Sequence, residues 1–249
     1  MAIRAVVFDL FDTLIDLSLH ELPRVEIGGR SVPSTAGALH AVASRHADVG
    51  FDEFAAVLGE IDRTLRENRH ARGLELPTRE RFEAVVDRLA IDAPSLAAEL
   101  TATHMAMIRD RTSVPAHHAR VLAELARRVP LGLCSNFSHA AMPLALLGES
   151  GLGAHFDALA ISETIGVRKP RAEIFEAVLS KLGVEPGDAL HVGDSLSADV
   201  CGAASLGIKT AWITRRVADP QAALRGYAGP APDRVIADLA EIAGLLDAL

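Results

Sequence analysis

Four short polar stretches hold the side chains able to do chemistry. They are Val7-Phe8-Asp9-Leu10-Phe11-Asp12-Thr13-Leu14, Leu133-Cys134-Ser135-Asn136, Arg168-Lys169-Pro170 and Val192-Gly193-Asp194-Ser195-Leu196-Ser197-Ala198-Asp199. A carboxylate such as Asp9 can attack phosphorus, or a carbon bearing a leaving group, and form a covalent aspartyl intermediate. Asp194 and Asp199 suit a hard cation such as Mg²⁺, which takes one or two carboxylates plus water and phosphate oxygens. Asp199 has a second use open to it, as a charge in the first turn of a helix. Ser135 can bond a phosphoryl oxygen or cap a helix from Ser138 onward, and Asn136 can fix that loop. Lys169 supplies a positive charge that offsets repulsion as a carboxylate approaches an anionic group. Pro170 suits the first turn of the helix that follows.

These stretches must be held by elements the pattern also predicts. Residues 5–8, 131–134, 189–192, 208–213 and 234–237 are short apolar runs, each followed by a polar residue, and read as buried strands. Helical spacing fills 115–128, 171–182 and 198–206, with Gly183 and Gly207 as stops. Strand, polar loop and helix in alternation predict an α/β fold, a doubly wound parallel sheet. Ligands in such sheets sit at the carboxyl ends of the strands. Asp9, Ser135 and Asp194 all fall there.

From Asp9 to Ser135 is 126 residues, whereas one strand–helix–strand step needs roughly 30. The excess predicts an inserted subdomain over 16–113, with 1–15 and 114–249 forming the core. The insert opens with a hairpin around Gly28-Gly29. Amphipathic helices follow over 51–72, 79–89 and 96–108.

Composition narrows the function classes. Lys+Arg number 25 against 33 Asp+Glu, a net charge of −8, which disfavours nucleic acid as a partner. Apolar residues make up 49% and charged residues 23%, as in an ordinary globular protein rather than a disordered one. Two cysteines, Cys134 and Cys201, fit a reducing compartment better than a disulfide scaffold. The apolar start is too short for a signal peptide or a membrane span, so a soluble cytoplasmic protein is expected. His117-His118 is expected to face solvent, and His191 to lie in the core. His139 lies close enough in sequence to Ser135 to reach the same site. The basic run Arg66, Arg69, His70, Arg72 reads as a solvated face or as an anion contact.

The four stretches, in this order and each at a strand end or ahead of a helix, resemble the motifs of the haloacid dehalogenase-like (HAD) hydrolase superfamily over nearly the whole chain. The resemblance implies a Rossmann-like core with an inserted helical cap that selects a small, anionic substrate. It implies Asp9 as nucleophile, Ser135 and Lys169 as further catalytic residues and Asn136 as a substrate-binding neighbour. It implies a Mg²⁺ site made by Asp9, the main-chain carbonyl of Phe11 and Asp194, with Asp199 behind it or as an alternative ligand.

One position departs from the phosphatase pattern of that superfamily. The acid that protonates the leaving alcohol normally stands two residues after the nucleophile. Here that residue is Phe11. The superfamily's 2-haloacid dehalogenases also carry an aromatic residue there, since halide leaves without a proton, and they need no metal. Their fourth motif has Ser and Asn where metal ligands would be, whereas this chain keeps Asp194 and has Leu196 at the Asn position. The expectation is therefore a Mg²⁺-dependent phosphoryl hydrolase with an unusual leaving-group requirement. The alternatives are a dehalogenase working through an aspartyl ester and a non-catalytic member that binds a phosphorylated ligand or a partner.

Overall fold

The computed structural model describes residues 3–248, without the side chains of the last two. Residues 1, 2 and 249 of the expected core lie outside that range. The chain divides into two compact units, Met1–Asp16 with Ser113–Leu249, and Leu17–Thr112.

The first unit begins with β1 (Ala5–Phe8), all four residues of which are buried. The chain then enters the second unit. There β2 (Arg24–Ile27) and β3 (Arg30–Pro33) pair antiparallel. Gly28 and Gly29 join them with φ of 58° and 75°, the left-handed backbone that a tight two-residue hairpin requires. Four helices follow: α1 (Ala36–Ala43), α2 (Phe51–Asn68), α3 (Thr78–Arg88) and α4 (Leu96–Arg109). Their inward faces, including Leu39, Phe54, Leu58, Phe82, Val85 and Leu100, form one apolar cluster, so this unit has its own core.

Back in the first unit, α5 (His118–Leu125) leads to β4 (Leu131–Ser135), α6 (Ala141–Glu149) and β5 (Ala158–Ile161). Then come α7 (Ala172–Leu182), β6 (Ala189–Gly193), α8 (Cys201–Ser205), β7 (Lys209–Ile213) and β8 (Arg234–Ile236). The sheet order is β8-β7-β6-β1-β4-β5, and every adjacent pair is parallel. β4 and β5 build outward on one side of β1. The chain then crosses to start β6 on the other side, so β1 marks the point where strand order reverses. That crevice is where open α/β sheets bind ligands.

Three expectations need correction. A sixth strand, β5, had no strong signal: its sequence Ala-Leu-Ala-Ile is short and carries one β-branched residue, yet it pairs with β4 along its length. His118 does not face solvent. It lies at the start of the buried stripe His118, Val121, Leu122, Leu125 and donates its Nδ1 hydrogen to Leu14 O at 2.9 Å. Pro170 is not in the first turn of α7, which starts at Ala172 after an extended Arg171; the Lys169–Pro170 bond is cis.

Candidate active site

All seven residues singled out from the sequence line one cleft of about 280 Å³ in the first unit: Asp9, Phe11, Ser135, Asn136, Lys169, Asp194 and Asp199. The register explains the convergence. β1 pairs with β4 through Phe8↔Leu133 and with β6 through Phe8↔Val192. The residues just past those pairs therefore emerge side by side. The Asp9 amide donates to Val192 O at 2.8 Å and fixes the first residue beyond β1.

Lys169 is the hub. Its Nζ lies 2.5 Å from Asp9 Oδ1, 2.6 Å from Asp199 Oδ1 and 2.6 Å from Cys134 O, with the side chain only 2% exposed. Burial alone would push the lysine towards neutrality. The two facing carboxylates outweigh it and hold the ammonium well above its usual range. Asn136 holds the same loop from behind: its Oδ1 accepts from Lys169 N at 2.7 Å and its Nδ2 donates to Lys169 O at 3.0 Å. Both ends of the amide are thus engaged by backbone. Asn136 thus fixes the Lys169 loop, one of the two uses expected of it, and it lines the cleft beside Ser135.

Asp199 is tied into the same network. Its Oδ1 accepts from Lys169 Nζ and, at 2.9 Å, from His191 Nε2; its Oδ2 accepts from Ser195 N at 2.9 Å. Burial raises its pKa, but Lys169 and His191 overcome that and hold the carboxyl well below the usual range. The carboxylate can come so close to β6 because Gly193 has no side chain. A Cβ there would sit 2.2 Å from Asp199 Cγ.

Asp9 and Asp194 behave oppositely. Burial and the Asp199 charge raise Asp9 to about 6 despite Lys169. Burial, Asp9, Asp199 and Asp12 raise Asp194 to about 8. One lysine therefore faces three carboxylates, whose oxygens approach within 4.8 Å of one another. Ser135 is buried and, among the described residues, its Oγ has no hydrogen-bond partner. Phe11 packs against Phe137, with ring centroids 4.8 Å apart and the planes tilted by 39°. Asp12 has φ of 58° and its Oδ1 accepts from Arg216 Nε at 3.2 Å, so that carboxylate is partnered away from Asp9.

Sequence reasoning placed His191 in the core but missed its bond to Asp199. A histidine two residues before Gly193, on the same face of β6 by strand alternation, is the signal that was available. His139 is half-buried, and among the described residues its Nδ1 has no partner. It does not line the cleft. Of the basic run, Arg69 pairs with Glu80 at 3.3 Å and His70 with Glu75 at 3.4 Å, within the second unit.

A parallel sheet that gathers acids, a serine and a buried lysine at its switch point defines an α/β enzyme of the doubly wound class. A model of the haloacid dehalogenase-like hydrolase family matches residues 3–207. The chain belongs to that family and is a hydrolase. It is 31% identical over 210 residues to the phosphoserine phosphatase of Thermus thermophilus, covering 82% of this chain and 73% of that one. It is 34% identical over 142 residues to the 5-amino-6-(5-phospho-D-ribitylamino)uracil phosphatase of Escherichia coli, covering 55% and 57%. Among solved structures, a HAD phosphatase from Thermococcus onnurineus superposes with a TM-score of 0.62 at 25% identity over 98% of each chain. A 2-haloacid dehalogenase from Pseudomonas syringae pv. Tomato superposes with 0.68 at 22% identity over 99% of each; at that identity the likeness concerns the fold. No helix among the described residues is long and apolar enough to cross a membrane.

Proposed function

We propose that the enzyme hydrolyses a small phosphorylated substrate through an aspartyl-phosphate on Asp9. The observation that carries this reading is the charge arrangement. One lysine charge is shared between Asp9 and Asp199, and Asp194 is a third carboxyl beside them with no cation of its own among the described residues. Two carboxylates kept so close make sense when a cation shares them. The donor set is all oxygen, which fits Mg²⁺ better than a softer metal. Asp9, Asp194 and the Phe11 carbonyl would hold the ion. When bound it supplies positive charge to the phosphoryl oxygens.

The chain's own residues do the rest. Lys169 keeps Asp9 oriented and offsets the charge of the incoming group. Ser135 Oγ, buried and lacking a partner among the described residues, is free to donate to a phosphoryl oxygen. An Asp9 oxygen attacks phosphorus, the bond from phosphorus to the leaving oxygen breaks, and the leaving group takes that electron pair. Water then attacks the same phosphorus, releasing phosphate and restoring Asp9. Phe11 can give no proton to the leaving oxygen, so good leaving groups such as acyl or aryl phosphates are favoured. The two sequence relatives named above, from Thermus thermophilus and Escherichia coli, are by name phosphatases of small phosphorylated molecules. We assign the choice of substrate to the inserted helical unit.

Phe11 also supports a second reading, 2-haloacid dehalogenation through an aspartyl ester, because a halide needs no acid. A panel assay separates the two. Phosphate release from acetyl phosphate or p-nitrophenyl phosphate that is lost with chelator supports phosphoryl hydrolysis. Halide release from 2-chloropropionate that persists with chelator supports the second reading and defeats the first.

A further inference from the structure

Asp194 is the first residue beyond β6. A cavity of about 320 Å³ lies against that loop, lined by Asp194, Leu196, Trp212 and Tyr227 among others. Asp194 thus borders this cavity as well as the active-site cleft. Two directed bonds hold the Asp194–Ser195 peptide: Trp212 Nε1 donates to Asp194 O at 2.7 Å, and Ser195 N donates to Asp199 Oδ2 at 2.9 Å. The sheet sets up the first. β6 and β7 pair with Gly193 opposite Trp212, so the indole stands beside the residue that leaves the strand. Trp212 is 1% exposed, which leaves the ring little room to move.

We propose that Trp212 is a positioning residue that fixes the Asp194 carboxylate for the cation by anchoring its backbone carbonyl. This rests on Asp194 being a cation ligand, as read above. A second property follows from composition. Trp212 is the chain's single tryptophan, so all tryptophan emission comes from the indole that is hydrogen-bonded to the Asp194 carbonyl.

The test uses the full chain and Mg²⁺ alone as probe. Binding is followed by tryptophan emission and by the rise in melting temperature with Mg²⁺ concentration. Wild type is expected to change emission on titration, and Asp194→Asn to lose both signals. Trp212→Phe removes the donor and keeps an aromatic ring. It is expected to raise the Mg²⁺ half-saturation about three- to tenfold, the effect of one lost hydrogen bond, with kcat at saturating Mg²⁺ changed much less. Should Trp212→Phe fold poorly, the single tryptophan can be replaced biosynthetically by a benzothienyl analogue, which keeps the shape and removes the N–H. Half-saturation unchanged in either variant, while Asp194→Asn loses Mg²⁺, overturns the positioning role and leaves the ligand assignment standing. Mg²⁺ binding to Asp194→Asn as to wild type overturns the ligand assignment, and this inference with it.

Discussion

Replacing Lys169 by Met keeps most of the aliphatic stem and removes the charge. Three short bonds go with it, to Asp9, Asp199 and the Cys134 carbonyl. Two carboxylates are then left buried without their cation. Removing one partner of a buried ion pair costs about 3–5 kcal/mol, and here a single lysine serves two acids, so the upper part of that range is expected. The cost depends on pH with a definite sign. Unfolded aspartates titrate near 4. Without Lys169, Asp9 and Asp199 titrate higher in the folded state than in the unfolded one. Between those values the folded protein holds more protons, so its stability falls as pH rises. Urea unfolding in chelator at about pH 5.5 and about pH 8 should therefore show a larger deficit, relative to wild type, at the higher pH. A loss below about 1 kcal/mol at the higher pH, the size of an exposed ion pair, would falsify the hub role of Lys169. A deficit equal at both pH values would mean that lost packing, not charge, is being measured.

Other substitutions probe separate parts of the site. Asp194→Asn should stabilise the metal-free protein at alkaline pH. The wild-type carboxyl, held up to about 8, is disfavoured once it ionises, and a melting temperature at about pH 9 no higher than wild type would contradict this. Gly193→Ala forces a Cβ to within 2.2 Å of Asp199 Cγ and should cost about 1–3 kcal/mol, as overpacking does, with loss of turnover; an active, equally stable variant would show that Asp199 can retreat at no cost. Phe11→Asp should raise kcat on simple phosphate monoesters by about 10²-fold or more, the worth of a general acid. No gain in a folded variant would show that the side chain at position 11 does not limit the reaction.

The site was more legible in the sequence than the contacts that support it. Asp9, Ser135 and Asp194 could be placed because each ends a short apolar run, and a parallel sheet delivers such residues to one edge. The doubly wound core followed from the same alternation. For Asp199 and Asn136 the sequence left two uses open each. Residue type alone allows a carboxylate to be a cation ligand or to stand behind one, and an amide beside a serine to fix the loop or to touch substrate. Only the fold shows their polar atoms taken up by Lys169, His191 and backbone. His118 was misplaced because two adjacent histidines read as polar, although its spacing to Val121, Leu122 and Leu125 put it on the buried stripe. β5 was missed because an edge strand of Ala-Leu-Ala-Ile looks like any short apolar stretch until β4 pairs with it. Trp212 gave no chemical signal at all: its part depends on a register between β6 and β7 that the sequence does not state.

The claim that Asp9 becomes phosphorylated can be tested by acid quench. The enzyme is mixed with ³²P-labelled acetyl phosphate and Mg²⁺, stopped in acid during turnover, and digested. Label is expected on the peptide carrying Asp9, released by hydroxylamine as an acyl phosphate would be, and absent from Asp9→Asn and from chelator-treated enzyme. Sustained phosphate release with no label on that peptide, or with label on another residue, would contradict it.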